Sequence, residues 1–316
     1  MWFGAHLPLI DFDGTGPPPL GRYVDAARGA GFTAIGANDH LVFARPWLDG
    51  LVALASIAER SDDMTLATTV ALPVIRGPAA MAKAAAALQT LSGGRFVLGV
   101  GPGSSAADYA AAGIAFDERW PRFDESLRAL TASLHRGEPM AGRFYNLPDL
   151  KPVPAQTVPL WVGSWGSAAG LRRAARYGNG WLASAYNASP EKITTGSELL
   201  HTALDSVGRR IDAFPIVLAT MWMFVTQSSS VAQDRLHMLA QLLGRDPSAL
   251  ADLLLIGSAE RCAATLDRYA DAGVDGVFVW PIGDPIEQLA IFGSSVARNV
   301  RLHDGPALRD HRGKPT

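Results

Sequence analysis

The sequence predicts a (β/α)8 TIM barrel of the α/β class, one domain over residues 1–316, and three observations lead there. First, four segments (27–35, 91–101, 175–183 and 269–279) share one pattern: a helical run meets glycine and passes into a short apolar run. Glycine accepts the left-handed conformation that ends many helices, and the apolar run after it reads as a buried strand. Second, the apolar runs number eight: residues 3–7, 34–37, 64–72, 96–101, 160–163, 180–185, 215–225 and 277–281. Third, amphipathic stripes lie between them: Leu20, Tyr23, Val24 and Ala27; Phe123, Leu127, Leu130 and Leu134; Ala232, Leu236, Leu239 and Leu243. Strand and helix in eightfold alternation imply a parallel sheet closed into a barrel, in a chain slightly longer than the usual ~250 residues.

The extra length is assigned to insertions and a tail. Residues 138–159, rich in Pro and polar side chains, form one insertion between the fourth helix and the fifth strand, and residues 11–19 form another after the first strand. About 303–316 reads as a polar tail. Nothing resembling a linker divides the chain.

Composition narrows the function classes. The chain is 48% hydrophobic and 18% charged, with a net charge of −2, so nucleic acid and anionic membrane surfaces are not expected as partners. The N-terminus lacks a basic signal region, and the Ala/Leu-rich run 79–88 is too short for a bilayer span. Cys262 is the single cysteine and shares a helical face with Leu266 and Tyr269. That placement predicts a buried core thiol, and the lack of any intramolecular disulfide fits a cytoplasmic protein.

Barrel enzymes draw their chemistry from the C-terminal ends of the strands and the loops that follow. That rule selects His6, Asn38, Asp39, His40, Thr68, Thr69, residues 101–105, 163–166, 184–187 and 221–223, and Trp280. His6, His40 and Asp39 stand at unrelated spacings, so no metal site is expected. Two Gly-rich turns, with Gly101, Gly103, Ser104 and Ser105 in one and Gly163, Ser164, Trp165 and Gly166 in the other, follow strands directly. Ser167 is placed to cap the helix after the second. Exposed amides and a helix N-terminus suit a phosphate, although glycine used for turn geometry alone explains the same pattern. The segment Asp11-Phe12-Asp13-Gly14-Thr15, with Gly283-Asp284, mimics the acidic motifs of haloacid-dehalogenase phosphatases. Pro8 before it and Pro17 to Pro19 after it favour a loop instead.

Taken together, these residues resemble the luciferase-like superfamily of flavin- and deazaflavin-dependent oxidoreductases. The motifs are Gly4-Ala5-His6-Leu7-Pro8, Asn38-Asp39-His40, the block 91–101, the segment 116–125, 160–164 and 273–276. The resemblance spans nearly the whole chain to Val296. It implies a cofactor across the barrel mouth, its phosphate near residues 101–105 and 163–166, and a non-prolyl cis peptide at Thr69–Val70 beneath the ring. The Asp39-His40 pair, residues 119–125 and the Gly-Pro-Gly-Ser-Ser turn are similar to the branch that uses the deazaflavin coenzyme F420, in which the residue matching His40 handles a proton. The expectation is hydride transfer between F420 and an apolar or aromatic small molecule, with Asp39 orienting His40.

Sugar-phosphate dehydrogenases of that branch carry a Glu where this chain has Ser104, and no basic constellation for a phosphorylated substrate is evident. Trp47, Trp222 and Trp280 are assigned to the substrate pocket. The alternative is an FMN-dependent monooxygenase that uses O2 and a partner reductase; a barrel without catalysis and the phosphatase are more remote. The resemblance also implies a homodimer.

Overall fold

The computed structural model describes residues 1–301 except 13, 15 and 151–156; the polar tail assigned above lies outside the described residues. The strands are β1 (Trp2–His6), β2 (Ala34–Ala37), β3 (Thr65–Thr68), β4 (Phe96–Val100), β5 (Met140–Ala141), β6 (Asn146–Leu147), β7 (Leu160–Gly163), β8 (Gly180–Ser184), β9 (Ile216–Val225), β10 (Leu255–Gly257) and β11 (Gly276–Pro281). Parallel pairing runs β1-β2-β3-β4-β7-β8-β9-β11 and returns to β1, closing an eight-stranded TIM barrel. All eight predicted strands are present. One is shorter than expected: the run 64–72 leaves the sheet after Thr68, passes a cis bond at Thr69–Val70 and starts the helix Pro73–Arg76.

The helix-to-strand joints obey the predicted logic at three of four positions, where Gly31, Gly94 and Gly273 are left-handed. The fourth differs. Gly178 closes the helix Ala168–Tyr177 at φ −93, and its need is steric, because a Cβ there would lie 2.9 Å from the Ala174 carbonyl oxygen. Two apolar layers result. Helices pack their stripes against the outside of the barrel, burying Tyr23, Val24, Ala27, Phe123, Leu127, Leu130, Ala232 and Leu239. A separate cluster that includes Ala67, Val97, Trp161, Leu182 and Phe278 fills the barrel, with Trp2 stacked on Trp161 at 6.3 Å. Cys262 is buried as expected, and burial pushes its thiol up to about 12.

The insertion 138–159 carries the hairpin β5–β6, anchored by the buried Glu125 carboxylate. That carboxylate accepts from the amides of Arg143, Phe144 and Tyr145 at 3.1, 2.8 and 2.7 Å. Two features had no signal in periodicity. β10 is three residues long and pairs with β9 alone, above the barrel rim. Within β9 the register against β11 slips: Leu218 faces Val277 and Met221 faces Val279, so Ala219 and Thr220 oppose one residue. This bulge puts Thr220 at φ 57, a rare conformation for a β-branched residue, and it turns Thr220 toward the barrel mouth.

Candidate functional site

A cavity of about 610 Å³ opens at the C-terminal mouth of the barrel. Its floor is apolar: Val70 and Leu72 follow β3, Leu182 and Ala183 lie in β8, and Ala219 lies in β9. Val70, the residue after the cis bond, packs between the two Gly-rich turns. A Cβ on Gly101 would stand 2.9 Å from a Val70 methyl, and one on Gly163 would stand 3.2 Å from the other. The glycines therefore let backbone approach the floor where no side chain fits.

Both predicted turns line the cavity, through Gly101, Gly103 and Ser104 on one side and Gly163, Ser164, Trp165 and Gly166 on the other. Tyr109 holds the first by donating to the Pro102 carbonyl at 2.5 Å. In the second, Ser164 Oγ accepts from the Gly166 amide at 3.2 Å, and Ser167 caps the helix Ala168–Tyr177 by accepting from Gly170 at 3.2 Å. Ser105 differs from expectation: it caps the helix Ala106–Ala111 and is not part of the cavity wall.

His40 is at the site, but the predicted orienting partner is replaced. Its Nδ1 meets Asp108 Oδ2 at 2.8 Å, while Asp108 Oδ1 accepts from the amides of Leu41 and Val42 at 3.0 and 2.7 Å. Burial alone would raise Asp108. The bonds from His40 and the two amides, with the charge of His40, outweigh it and hold the carboxyl below its ordinary value. Asp39 turns the other way. Its two oxygens take Arg76 at 2.6 and 2.7 Å, and Arg76 also reaches Asp49 at 2.6 Å. Asp39 therefore fixes the loop after β3 to the loop after β2, and Asp108 orients His40. In the tautomer that donates Nδ1–H to Asp108, Nε2 is left as an acceptor.

Asp108 was not singled out from the sequence. Ser105-Ala106-Ala107-Asp108 has the spacing of a capping box, which signals a helix start and no site. Only the fold brings it against His40, across 68 positions of sequence.

The aromatic residues assemble into one group beside the cavity. His6 stacks on Trp280 at 3.6 Å, and Trp280 on Trp222 at 4.1 Å. Trp47 meets Trp280 edge-on at 5.7 Å and His40 at 4.8 Å. Trp47, Trp222, Trp280 and His6 are thus brought together with His40, although none of the four is part of the cavity wall. Burial drives His6 down to about 3, opposed weakly by the Leu7 carbonyl and the Asn38 amide, so His6 is uncharged at neutral pH. Asn38 Oδ1 and Thr69 Oγ1 line the same mouth, buried and without a hydrogen-bond partner within the protein.

Three cations also reach the cavity, each from a different helix: Arg119, which lies in the 116–125 motif, and Arg173 and Lys192, which no motif announced. The sequence shows no basic constellation for a phosphorylated substrate, and residues 119, 173 and 192 come together only through the barrel. No group of three or more His, Cys, Asp or Glu that could hold a metal exists among the described residues. The phosphatase mimic dissolves as well: Asp284 caps the helix Pro285–Ile291, Asp11 accepts from the Gly14 amide, and Asp13 and Thr15 lie outside the described residues.

Comparison with known proteins follows the same lines. The family model of the luciferase-like monooxygenases matches residues 13–276. The chain belongs to that family. Among curated relatives of this luciferase-like chain, an F420-dependent glucose-6-phosphate dehydrogenase of Nakamurella multipartita is 29% identical, covering 90% of this chain and 93% of its own. An F420-dependent hydroxymycolic acid dehydrogenase of Mycobacterium tuberculosis is 26% identical, covering 89% and 84%. An F420-dependent secondary alcohol dehydrogenase, solved with an F420-acetone adduct, superposes with a TM-score of 0.84 at 17% identity, covering 95% of this chain and 99% of its own. A monooxygenase from Streptomyces bottropensis superposes with a TM-score of 0.78 at 20% identity, covering 94% and 99%. At those identities the two structures speak to the fold alone. No helix among the described residues is long and apolar enough to cross a membrane.

Proposed function

We propose that this luciferase-like protein is an F420-dependent oxidoreductase that moves a hydride between the deazaflavin and an apolar or aromatic small molecule. The observation that carries the reading is the His40–Asp108 pair at a mouth whose floor and turns fit the cofactor. The fit rests on three features. Gly101 and Gly163 leave a cradle that a Cβ would fill. Asn38 Oδ1 and Thr69 Oγ1 supply buried, unpartnered polar atoms for the N–H and C=O groups of a flat pyrimidine edge. The amides of the two turns and the start of the helix Ala168–Tyr177 suit a phosphate. The choice of F420 over FMN is supported by the two F420-dependent dehydrogenases that align over nine-tenths of the chain.

When bound, the deazaflavin supplies a two-electron carrier that gives or takes a hydride at carbon. The chain does the rest. Val70 would support the ring, and the apolar floor would exclude water from the reacting face. Asp108 holds Nδ1–H of His40, so Nε2 can receive the proton of a substrate hydroxyl as hydride leaves, or return it in reverse. Trp47 packs against the imidazole and limits its rotation. Ser104 lacks an acidic proton for the second role that a Glu plays there in sugar-phosphate dehydrogenases, which favours a substrate needing one proton-transfer group. The apolar floor of Val70, Leu182, Ala183 and Ala219 favours an apolar or aromatic partner.

The test is anaerobic oxidation of the reduced deazaflavin in the presence of a panel of apolar and aromatic aldehydes, ketones and enones, followed at the cofactor's visible absorbance. The account expects turnover with at least one class and a loss of about 10²- to 10⁴-fold in His40→Ala. Turnover that requires O2 and FMN would replace it with the monooxygenase reading.

A further inference from the structure

We propose that Thr220 determines which ring the mouth selects: its hydroxyl oxygen accepts a hydrogen bond from the phenolic hydroxyl at the far edge of the deazaflavin, where FMN carries methyl groups. The inference rests on the F420 reading and deepens it, because it names a residue of this chain that tells one ring from the other.

The hydrogen bonds fix what Thr220 shows to the cavity. Arg245 donates to Asn187 Oδ1 at 2.6 Å, which turns the amide so that Nδ2 donates to Ser184 Oγ at 2.9 Å. Ser184 Oγ and Thr220 Oγ1 lie 2.9 Å apart, and Thr220 Oγ1 lies 2.7 Å from the Ala219 carbonyl oxygen. Each hydroxyl carries one proton, so a single arrangement makes all of these bonds. Ser184 donates to Thr220, and Thr220 donates to Ala219. Thr220 Oγ1 then keeps one lone pair and has no proton to offer. Because Thr220 lines the cavity, a ligand meets an acceptor there. The backbone agrees with a placed side chain. At φ 57 Thr220 holds a conformation that β-branched residues rarely take, set by the bulge against β11.

Strand order supplies the ligand. Around the barrel, Asn38 and Thr69 follow the second and third strands, whereas Ser184 and Thr220 belong to the sixth and seventh. In a ring of eight those positions are opposite. A flat three-ring ligand whose pyrimidine edge meets Asn38 and Thr69 therefore points its other end at Thr220. The two Gly-rich turns follow the fourth and fifth strands, to one side, where a phosphate chain leaving the middle ring would run. In the deazaflavin the far end carries a hydroxyl, which pairs with the free lone pair of Thr220. The methyl groups of FMN would cover that lone pair and leave it without a donor.

The experiment measures binding of three ligands to the cofactor-free protein, by calorimetry or by quenching of tryptophan fluorescence. They are F420, the deazaflavin ribityl phosphate that keeps the hydroxyl, and 5-deaza-FMN, which has methyl groups in its place. The two phosphate esters share one tail, so their difference reports the ring edge. The hydroxyl ester should bind about tenfold tighter than 5-deaza-FMN. Thr220→Ala, which relieves the crowding of a β-branched residue at φ 57 and so keeps the fold, should abolish that preference. It should do so by weakening the hydroxyl ester about tenfold, with 5-deaza-FMN unchanged, and Thr220→Ser should restore the preference. Equal binding of the two esters by the unaltered protein overturns the role of Thr220 and leaves the F420 reading intact. So does a preference that survives in Thr220→Ala, equal weakening of both esters, or tighter binding of 5-deaza-FMN by that variant. Binding of F420 without either ester places recognition in the tail and overturns the ring-edge assignment. Failure of all three ligands to bind overturns both readings.

Discussion

Asp108→Asn separates the orienting role from every other feature of the mouth. The carboxylate is 1% exposed and the imidazole 23%. Asn keeps the shape and one carbonyl oxygen. That oxygen can retain the amides of Leu41 and Val42, which are now 3.0 and 2.7 Å from Oδ1. The new NH2 then faces His40 Nδ1 in place of Oδ2, at the present separation of 2.8 Å. Two donors cannot share that bond, so His40 must present a bare Nδ1 and carry its proton on Nε2. The group facing the cavity changes from acceptor to donor. Losing one charge-assisted hydrogen bond while keeping two backbone bonds costs about 1.5–3 kcal/mol of stability. The inverted tautomer costs far more in catalysis, about 10²- to 10⁴-fold in turnover. Urea denaturation measures the first and the nitrogen-15 shifts of His40 measure the tautomer directly. A variant with full turnover, or one whose His40 still carries its proton on Nδ1, would refute the orienting role.

Further outcomes follow from the same contacts. Arg76→Met should destabilise the protein by about 3–5 kcal/mol in urea melts, because buried Asp39 loses its counter-ion, whereas Asp39→Asn with Arg76 present should cost less. Gly101→Ala should cost about 1–3 kcal/mol and weaken cofactor binding, since the new methyl would stand 2.9 Å from Val70 and push it toward the cavity. Stability should also fall with acid in two stages. His6 is neutral in the fold down to about 3, while the unfolded chain takes a proton near 6.5, so stability declines as pH drops below about 6.5. His6→Phe should flatten that limb in melts at pH 7 and pH 5. Asp49 and Asp108 are both held below the ordinary carboxylate value, for Asp49 despite burial and through the Val52 amide and Arg76. Their stabilisation is complete above about pH 4 and is lost as pH falls through the depressed folded values, which Asp108→Asn should partly abolish.

What the sequence disclosed was whatever rests on local chemistry. The glycines at 31, 94 and 273 announced helix-to-strand joints because backbone conformation is decided within a few residues. Strand ends then located the turns at 101–104 and 163–166, and His40, without any knowledge of contacts. Non-local facts stayed hidden. Asp108 carried no signal of a site in the sequence, and its meeting with His40 depends on the helix Ala106–Ala111 after β4 lying against the loop after β2. Asp39 was assigned to His40 by adjacency, yet neighbouring residues on an extended stretch point apart, and Arg76 claims it. The cations at 119, 173 and 192 lie on three separate helices, so no window of sequence holds two of them in view. Thr220 sits at a bulge that depends on a two-to-one register against β11. The cis bond at Thr69–Val70 was legible through resemblance to a family, since nothing in those two side chains demands it.

The central claim is that this mouth is shaped for a deazaflavin. Titrating the purified, cofactor-free protein with F420 and, separately, with FMN tests it most directly, by calorimetry or by quenching of tryptophan fluorescence. The account predicts saturable one-to-one binding of F420, weakened by Gly101→Ala and insensitive to His40→Ala, with FMN at least about tenfold weaker, a difference of some 1.4 kcal/mol. Tight binding of FMN with no affinity for F420 would contradict it.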